Sequence, residues 1–251
     1  MARGDVAVIS ISAALAVVVA VAVAYSFRVL DKNPDPSAMV TDESSSWLVL
    51  TWAPSFCLVE PSNPACTSGE VKRAGPTMLL HGLWPQPPAR QNCGVPQGSS
   101  EKDLPPVDLS SGVDEQLDTT LVDAASLIPH EWYTHGTCSG VSPDVYFRDA
   151  ATLTGTARTV LDPMFADAAG GSVTLTQIRE RADAALGPGA GERIGLGCRK
   201  TAGEGSVVVE LRMSLPPVVE LGDGERVRPL RELLAAAPPM PAQCRHGRIP
   251  G

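Results

Sequence analysis

The sequence has few charged residues, few aromatic residues and very little lysine. Charged residues occupy 19% of the 251 positions, aromatic residues occupy 4%, and the formal net charge is −8. Soluble domains usually contain about 25% charged residues. A negatively charged chain with four lysines is unsuited to coating nucleic acid through bulk charge, because proteins that do so are usually basic. The net charge does not exclude an enzyme that binds a short polymer segment in a local cleft.

Cys-x-x-Cys pairs are absent, which argues against a zinc ribbon or a related metal site. The number of cysteines is even, and an even set in an exported chain is typical of a disulfide framework. Six free thiols in a cytosolic protein are the alternative, and spacing alone does not choose among the many pairings. All six follow the apolar N-terminal segment: Cys57, Cys66, Cys93, Cys138, Cys198 and Cys244.

The one long apolar run lies at the N-terminus, over residues 6–24. It is about as long as the ~20 residues that cross a bilayer, so residues 1–25 are predicted to be a signal peptide or a membrane anchor. A buried core helix is the alternative. Residues 26–46 are rich in proline, acidic residues and serine, which predicts a linker. Residues 47–251 are then one folded domain outside the cytoplasm, either secreted or anchored.

Apolar periodicity in this domain indicates both strands and helices. Runs rich in β-branched and aromatic residues predict strands at 47–52, 77–80, 193–199 and 206–215, the last two joined as a hairpin. Helical spacing predicts one helix at 114–128 that ends at Pro129, a separate helix at 130–138, and a helix that Thr174 caps and that closes near Gly187. The mixture lacks regular strand–helix alternation, which indicates an α+β fold.

Three of the four histidines lie in two short segments that also contain glycine and tryptophan. The segments are residues 80–85 (LHGLWP) and residues 130–138 (HEWYTHGTC). On a helix, Glu131 and His135 are four residues apart and share a face. A carboxylate beside an imidazole favours the protonated form and fixes the ring. This arrangement suits a general acid or base.

Two other kinds of site compete for the second segment. A zinc site of the His-Glu-x-x-His type needs histidines four residues apart. His130 and His135 are five apart, about 140° from each other on a helix, which fits a metal poorly. Cys138 lies three residues from His135 and is an alternative nucleophile, but in an exported domain it is more simply half of a disulfide.

The two segments resemble, in order, the two signatures of the ribonuclease T2 family, His-Gly-Leu-Trp-Pro and His-Glu-Trp-x-Lys-His-Gly-Thr-Cys. Residues 48–57 resemble the first strand of that family and its cysteine. Residues 138–147 resemble the bacterial, ribonuclease I-like members. The resemblance covers residues 47–244. It implies a central, mainly antiparallel sheet with flanking helices, preceded here by an apolar N-terminal helix.

The resemblance also implies roles for the histidines. His135 would take the proton of the ribose 2′-hydroxyl, and His81 would protonate the leaving 5′-oxygen. Glu131 would support His135 and the transition state, and His130 would contact the phosphate. The reaction would need no metal or cofactor, would have low base specificity, and would give a 2′,3′-cyclic phosphate and then a 3′-phosphate. Single-stranded RNA would be the substrate, and DNA, which lacks the 2′-hydroxyl, would not be cut. We expect a monomer.

Further residues enter through the same resemblance. Trp84 would stack on a base, with a core tryptophan as the alternative, and Gln86 would bind a base edge. His246 follows the last cysteine and is expected to be exposed and non-catalytic. The implied pairings are Cys57–Cys66, Cys93–Cys138 and Cys198–Cys244. The second of these would hold the two catalytic segments in register.

Thr134 stands where the second signature has lysine. Threonine can donate a hydrogen bond but carries no charge. Loss of one group that stabilises developing negative charge costs on the order of 10²–10³ in rate. Arg73, Arg90 and Arg148 are candidates for a replacement cation. The substitution keeps open a weakly active or inactive ribonuclease-fold protein that binds RNA or another partner. A membrane-tethered surface protein with no link to RNA is a third hypothesis.

Overall fold

The computed structural model describes residues 45–250. The predicted signal or anchor, and all but the last two residues of the predicted linker, lie outside this range. Within residues 45–250, no helix combines the length and the apolar character that a bilayer crossing requires.

Six strands and eight α-helices make up the described chain. The strands are β1 (Ser46–Trp52), β2 (Met78–Pro85), β3 (Ser172–Thr174), β4 (Ile194–Thr201), β5 (Gly205–Leu215) and β6 (His246–Arg248). The helices are α1 (Ala53–Val59), α2 (Pro64–Thr67), α3 (Glu70–Ala74), α4 (Ser111–Thr120), α5 (Ala124–Thr134), α6 (Pro143–Asp167), α7 (Leu175–Leu186) and α8 (Leu230–Ala236). Short 3₁₀ turns lie at Glu101–Asp103, Gly136–Cys138, Gly191–Arg193 and Val218–Glu220.

The strands form one mainly antiparallel sheet. β1 lies between β2 and β5 and is antiparallel to both. β4 and β5 form an antiparallel hairpin, while β6 pairs in parallel with β5 and antiparallel with β3. Because β1 is central and covered on both faces, all seven of its residues are buried. The predicted α+β fold with flanking helices is confirmed.

The long helix α6 packs against β2 and holds it in place. The buried Tyr146 hydroxyl donates a hydrogen bond to the Leu83 carbonyl at 2.7 Å and accepts one from the Leu83 N–H at 3.3 Å. At the start of the same strand, Asp162 accepts a hydrogen bond from the Met78 N–H at 2.9 Å. Both ends of β2 are therefore anchored to one rigid helix.

The predicted helices at 114–128 and 130–138 are wrong in their boundaries. The chain breaks at residues 121–123, where Asp123 has a left-handed φ of 54°. α5 then runs through Pro129 and continues to Thr134. Pro129 is the sixth helical residue, so it removes one backbone hydrogen bond next to the first turn, whose N–H groups have no helical partner in any case. After α5, Gly136–Cys138 forms a 3₁₀ turn.

Other predicted elements are confirmed. β4 and β5 form the expected hairpin, and Thr174 opens α7 with a capping box in which Gln177 is the reciprocal partner. The predicted strand at 77–80 exists but extends to Pro85. The first histidine segment is thus part of a strand rather than a turn after it.

All six cysteines are paired. The disulfides are Cys57–Cys66, Cys93–Cys138 and Cys198–Cys244. These are the pairings that the resemblance implied.

Candidate active site

His81 lies at a bulge in β2. Val49 of β1 pairs with Gly82 and the next residue, Leu50, pairs with Leu80. His81 is therefore the extra residue on the β2 side. A bulge of this kind bends the strand and redirects a side chain, and the His81 side chain is a third exposed.

The second segment brings three candidate residues to the C-terminal end of α5. Glu131 is 1% exposed, and its carbonyl accepts the backbone N–H of His135 at 3.0 Å. His135 is the residue at which the helix ends, and it is buried. His130 is exposed, and its ring meets His135 edge to face with 6.5 Å between centroids.

Trp84 connects the two segments. Its indole stacks on the His135 ring with centroids 4.9 Å apart, and it meets His81 edge to face at 5.1 Å. The indole Nε1 donates a hydrogen bond to Glu131 Oε2 at 2.9 Å. Trp84 therefore packs between both histidines and the carboxylate, and one face of its indole is covered by His135.

The Glu131 carboxylate is directed toward β2. Besides the bond from Trp84, its Oε1 lies 3.9 Å from Nε2 of His81. Helix geometry predicted that Glu131 would raise the pKa of His135, and this expectation is wrong. The Trp84 indole draws the carboxylate toward the strand, and the pKa of His135 is lowered.

Gly82 is required by the close approach of α5 to β2. A Cβ atom built at this position would overlap the Glu131 carboxylate and would lie 2.5 Å from Trp84 Nε1. Gly136 has a similar role, because a Cβ there would overlap the Trp132 ring. At both glycines an aromatic or acidic side chain lies too close to the backbone for any residue with a Cβ atom.

The surroundings move the pKa values of the two histidines in opposite directions. Burial, with smaller contributions from His130 and His81, lowers the pKa of His135 to about 4. Burial also lowers the pKa of His81, but the carboxylates of Glu210 and Glu131 outweigh burial and the Arg212 charge, so the net pKa is raised above 6.5. Two histidines whose pKa values are shifted in opposite directions can serve as one base and one acid.

Glu210 and Arg212 are site residues that the sequence interpretation missed. His81 Nδ1 lies 3.6 Å from Glu210 Oε1, and Arg212 Nη2 donates to Glu210 Oε2 at 2.7 Å. A signal was present in the alternation of β5, since two charged residues two positions apart face one side of an otherwise apolar strand.

Three further residues singled out in the sequence have defined places in the structure. Gln86 is wrong as a base contact in this structure, because it is 1% exposed and its amide donates to the Trp84 carbonyl at 3.2 Å. The Thr134 carbonyl accepts the backbone N–H of Asn92 at 2.9 Å. His246 is exposed on β6.

The predicted replacement cations do not join the cluster. Arg73 donates to the Ser68 carbonyl, and Arg90 is exposed in the loop after β2. Arg148 bonds Asp149 and the Gly224 carbonyl. Arg212 does lie near the cluster, because its guanidinium is 5.9 Å from the Trp84 ring centroid and its charge acts on His81.

A cavity of about 460 Å³ opens beside His81 and His130. Its wall is mixed: Phe56 and Leu80 are apolar, while Asn63 and Asp123 are polar. Pockets of roughly 300–1,000 Å³ with a few polar groups are typical small-ligand sites. Among residues 45–250, no group of three or more His, Cys, Asp or Glu side chains is arranged to hold a metal ion.

The Cys93–Cys138 disulfide ties the loop after β2 to the 3₁₀ turn that follows α5. The backbone bond between Asn92 and Thr134 reinforces this tie. Cys138 is thus half of a disulfide rather than a nucleophile.

Comparison with known proteins identifies the family. The sequence profile of the ribonuclease T2 family matches residues 44–220, which include both histidine segments and β5. The chain belongs to the ribonuclease T2 family.

Individual relatives are distant. A ribonuclease of Aeromonas hydrophila is 31% identical over 106 residues, which are 42% of this chain and 42% of that protein. Ribonuclease MC of Momordica charantia is 32% identical over 102 residues, 38% of this chain and 48% of that one. The chain thus aligns with less than half of each relative's length. The crystal structure of ribonuclease MC1 from bitter gourd seeds superposes with a TM-score of 0.57 at 23% identity, covering 82% of this chain and 99% of that chain. This likeness shows the shared fold.

Proposed function

We propose that this protein is a metal-independent endoribonuclease that cleaves single-stranded RNA with low base specificity. The observation that carries the proposal is the packing of His81 and His135 against one indole, Trp84, which also donates to the buried Glu131 carboxylate. The opposite shifts of the two histidine pKa values support it. Above about pH 4 His135 is mostly neutral, and His81 holds its proton to a higher pH than an ordinary histidine. At mildly acidic pH one imidazole is therefore ready to accept a proton while the other is ready to donate one.

In the proposed reaction, His135 accepts the proton of the ribose 2′-hydroxyl as the 2′-oxygen attacks the adjacent phosphorus. His81 donates its proton to the 5′-oxygen as the P–O5′ bond breaks. The product is a 2′,3′-cyclic phosphate. Water then opens the ring, with His81 accepting its proton and His135 returning one to the 2′-oxygen, which leaves a 3′-phosphate.

Substrate contacts follow from the same geometry. His130 is exposed beside His135 and is suited to contact the phosphate. The cavity beside His81 and His130 has the size and mixed lining of a small-ligand site, and we assign it to a nucleobase of the RNA. His135 covers one face of the Trp84 indole. We therefore assign base stacking only to the part of the indole that His135 leaves uncovered. Thr134 can donate a hydrogen bond but no charge, so the phosphate would receive its charge stabilisation from the histidines.

Export is the second part of the proposal. Three disulfides close loops within residues 45–250, and such bridges persist in oxidising compartments. We infer an extracytoplasmic protein, secreted or anchored through residues 6–24, of the bacterial ribonuclease I-like type. A monomer is expected.

The test is cleavage of a short single-stranded RNA by the oxidised protein in the presence of EDTA. We expect a 2′,3′-cyclic phosphate product, no cleavage of the matching DNA, and loss of activity in His135→Ala. His246→Ala is the matched control, because it removes an exposed histidine on β6, and it should retain activity. Intact RNA from acid to neutral pH would refute the enzyme and leave the RNA-binding alternative.

A further inference from the structure

The strand β5 contributes a charged pair to a site that is otherwise built from β2 and α5. β5 is separated from β2 by β1, so the backbones of the two strands are about 10 Å apart. Even so, His81 Nδ1 reaches to 3.6 Å from Glu210 Oε1. The bulge at His81 explains how its ring extends across the intervening strand.

Glu210 is itself held firmly. Its second oxygen, Oε2, accepts a hydrogen bond from Arg212 Nη2 at 2.7 Å, and both side chains are less than a fifth exposed. The Arg212 guanidinium lies 5.6 Å from the Trp47 ring centroid and 5.9 Å from that of Trp84. The carboxylate that faces His81 therefore has a fixed direction, set by an arginine that two indoles hold in place.

We propose that Glu210 is a positioning residue for the general acid, holding the Nδ1 side of the His81 ring so that the Nε2 proton is the one delivered to the leaving oxygen. This inference rests on the proposed ribonuclease activity. After Nε2 has lost its proton, the neutral ring keeps the hydrogen on Nδ1, the nitrogen that faces Glu210 Oε1 at 3.6 Å. Nε2 then has a free lone pair and can accept a proton from water in the second step.

The charges around His81 give the proposal a signature. Glu210 and Glu131 each raise the pKa of His81, whereas Arg212 lowers it. Removing the charge of Glu210 should therefore lower the pKa of His81, and removing the charge of Arg212 should raise it. If Glu210 and Arg212 only stabilised the fold, the two variants would not shift the His81 pKa in opposite directions. The other titratable groups near the ring are His135 at the end of α5 and the cavity residues Glu60, Asp123 and His130.

The experiment compares Glu210→Gln and Arg212→Gln with a matched control, Glu192→Gln. Glu192 also pairs with an arginine, Arg193, at 2.9 Å, but it is 67% exposed and lies outside the site. The His81 pKa is measured by NMR titration of its ring carbon-bound proton, which requires no turnover. The second readout is the alkaline limb of kcat/KM against pH.

We expect Glu210→Gln to lower the His81 pKa, to move the alkaline limb to lower pH, and to reduce kcat/KM at neutral pH by about ten- to a hundredfold. Arg212→Gln should move the pKa and the limb upward, and Glu192→Gln should move neither. An unchanged His81 pKa in both site variants would overturn the inference.

The two proposals fail in different ways. A wild-type protein that does not cut RNA refutes the ribonuclease, while the NMR titrations still decide whether Glu210 and Arg212 act on His81. An active wild type with an unmoved alkaline limb in Glu210→Gln refutes the positioning role alone. If Glu210→Gln does not fold, the His81 pKa of Arg212→Gln is the test. A higher pKa supports the inference, and an unchanged pKa refutes it.

Discussion

Gly82→Ala is the substitution that tests the packing of α5 on β2 most sharply. The added methyl group would overlap the Glu131 carboxylate and lie 2.5 Å from Trp84 Nε1, so the bond from the indole to Glu131 cannot survive. Overpacking a tight site costs about 1–3 kcal/mol, and removing the donor of a buried carboxylate costs about 1–3 kcal/mol more. We therefore expect the free energy of unfolding to fall by about 2–6 kcal/mol.

Activity should fall with stability, because Trp84 contacts both histidines. A displacement of about 1 Å is enough to reduce kcat/KM by roughly a hundredfold. Gly155→Ala is the matched control. Gly155 lies inside α6, where an added Cβ has no neighbour within 4 Å, so this change should stabilise the protein by about 0.5–1 kcal/mol. Urea denaturation measures the free energy of unfolding, and steady-state cleavage measures kcat/KM. A Gly82→Ala protein with wild-type stability and wild-type kcat/KM would refute the reasoning.

Three further predictions concern a charge, a disulfide and a buried hydroxyl. His130→Gln should move the acidic limb of kcat/KM to higher pH, because the charge of His130 lowers the pKa of His135; an unmoved limb in the pH profile would contradict this. Replacing Cys93 and Cys138 together with serine should lower the free energy of unfolding by about 2–4 kcal/mol, measured by urea denaturation against the oxidised wild type. Tyr146→Phe should cost about 1–3 kcal/mol, because the hydroxyl bonds both backbone groups of one β2 residue; thermal unfolding with no loss would show that bond to be dispensable.

Much of the fold was accessible from local signals. The β4–β5 hairpin follows from two β-prone runs and a short turn, and the Thr174 cap follows from its own side chain and Gln177. Pro129 misled the helix assignment, because proline usually ends a helix, whereas α5 runs through Pro129 and continues to Thr134. The predicted strand stopped at residue 80, whereas β2 continues through Gly82, which serves a close contact, to Pro85, its last residue.

The candidate site was accessible only in part. Helix geometry places Glu131 and His135 on one face, yet the direction of the carboxylate is decided by Trp84, which comes from another strand. Glu210 reaches His81 across β1 and is held by Arg212. The alternation of β5 shows that the two charged residues share a face, but no local pattern shows which distant residue they meet. Gln86 turns inward because its amide finds a backbone carbonyl.

The measurement that tests the central claim most directly separates the roles of His81 and His135. An RNA whose scissile 5′-oxygen is replaced by sulfur has a leaving group that departs without protonation, since thiols are far more acidic than alcohols. We predict that this substrate restores cleavage by His81→Ala to near the wild-type rate, while His135→Ala remains inactive because the 2′-hydroxyl still needs a base. Restoration in His135→Ala instead, or in neither variant, would contradict the assignment of His81 as the acid and His135 as the base.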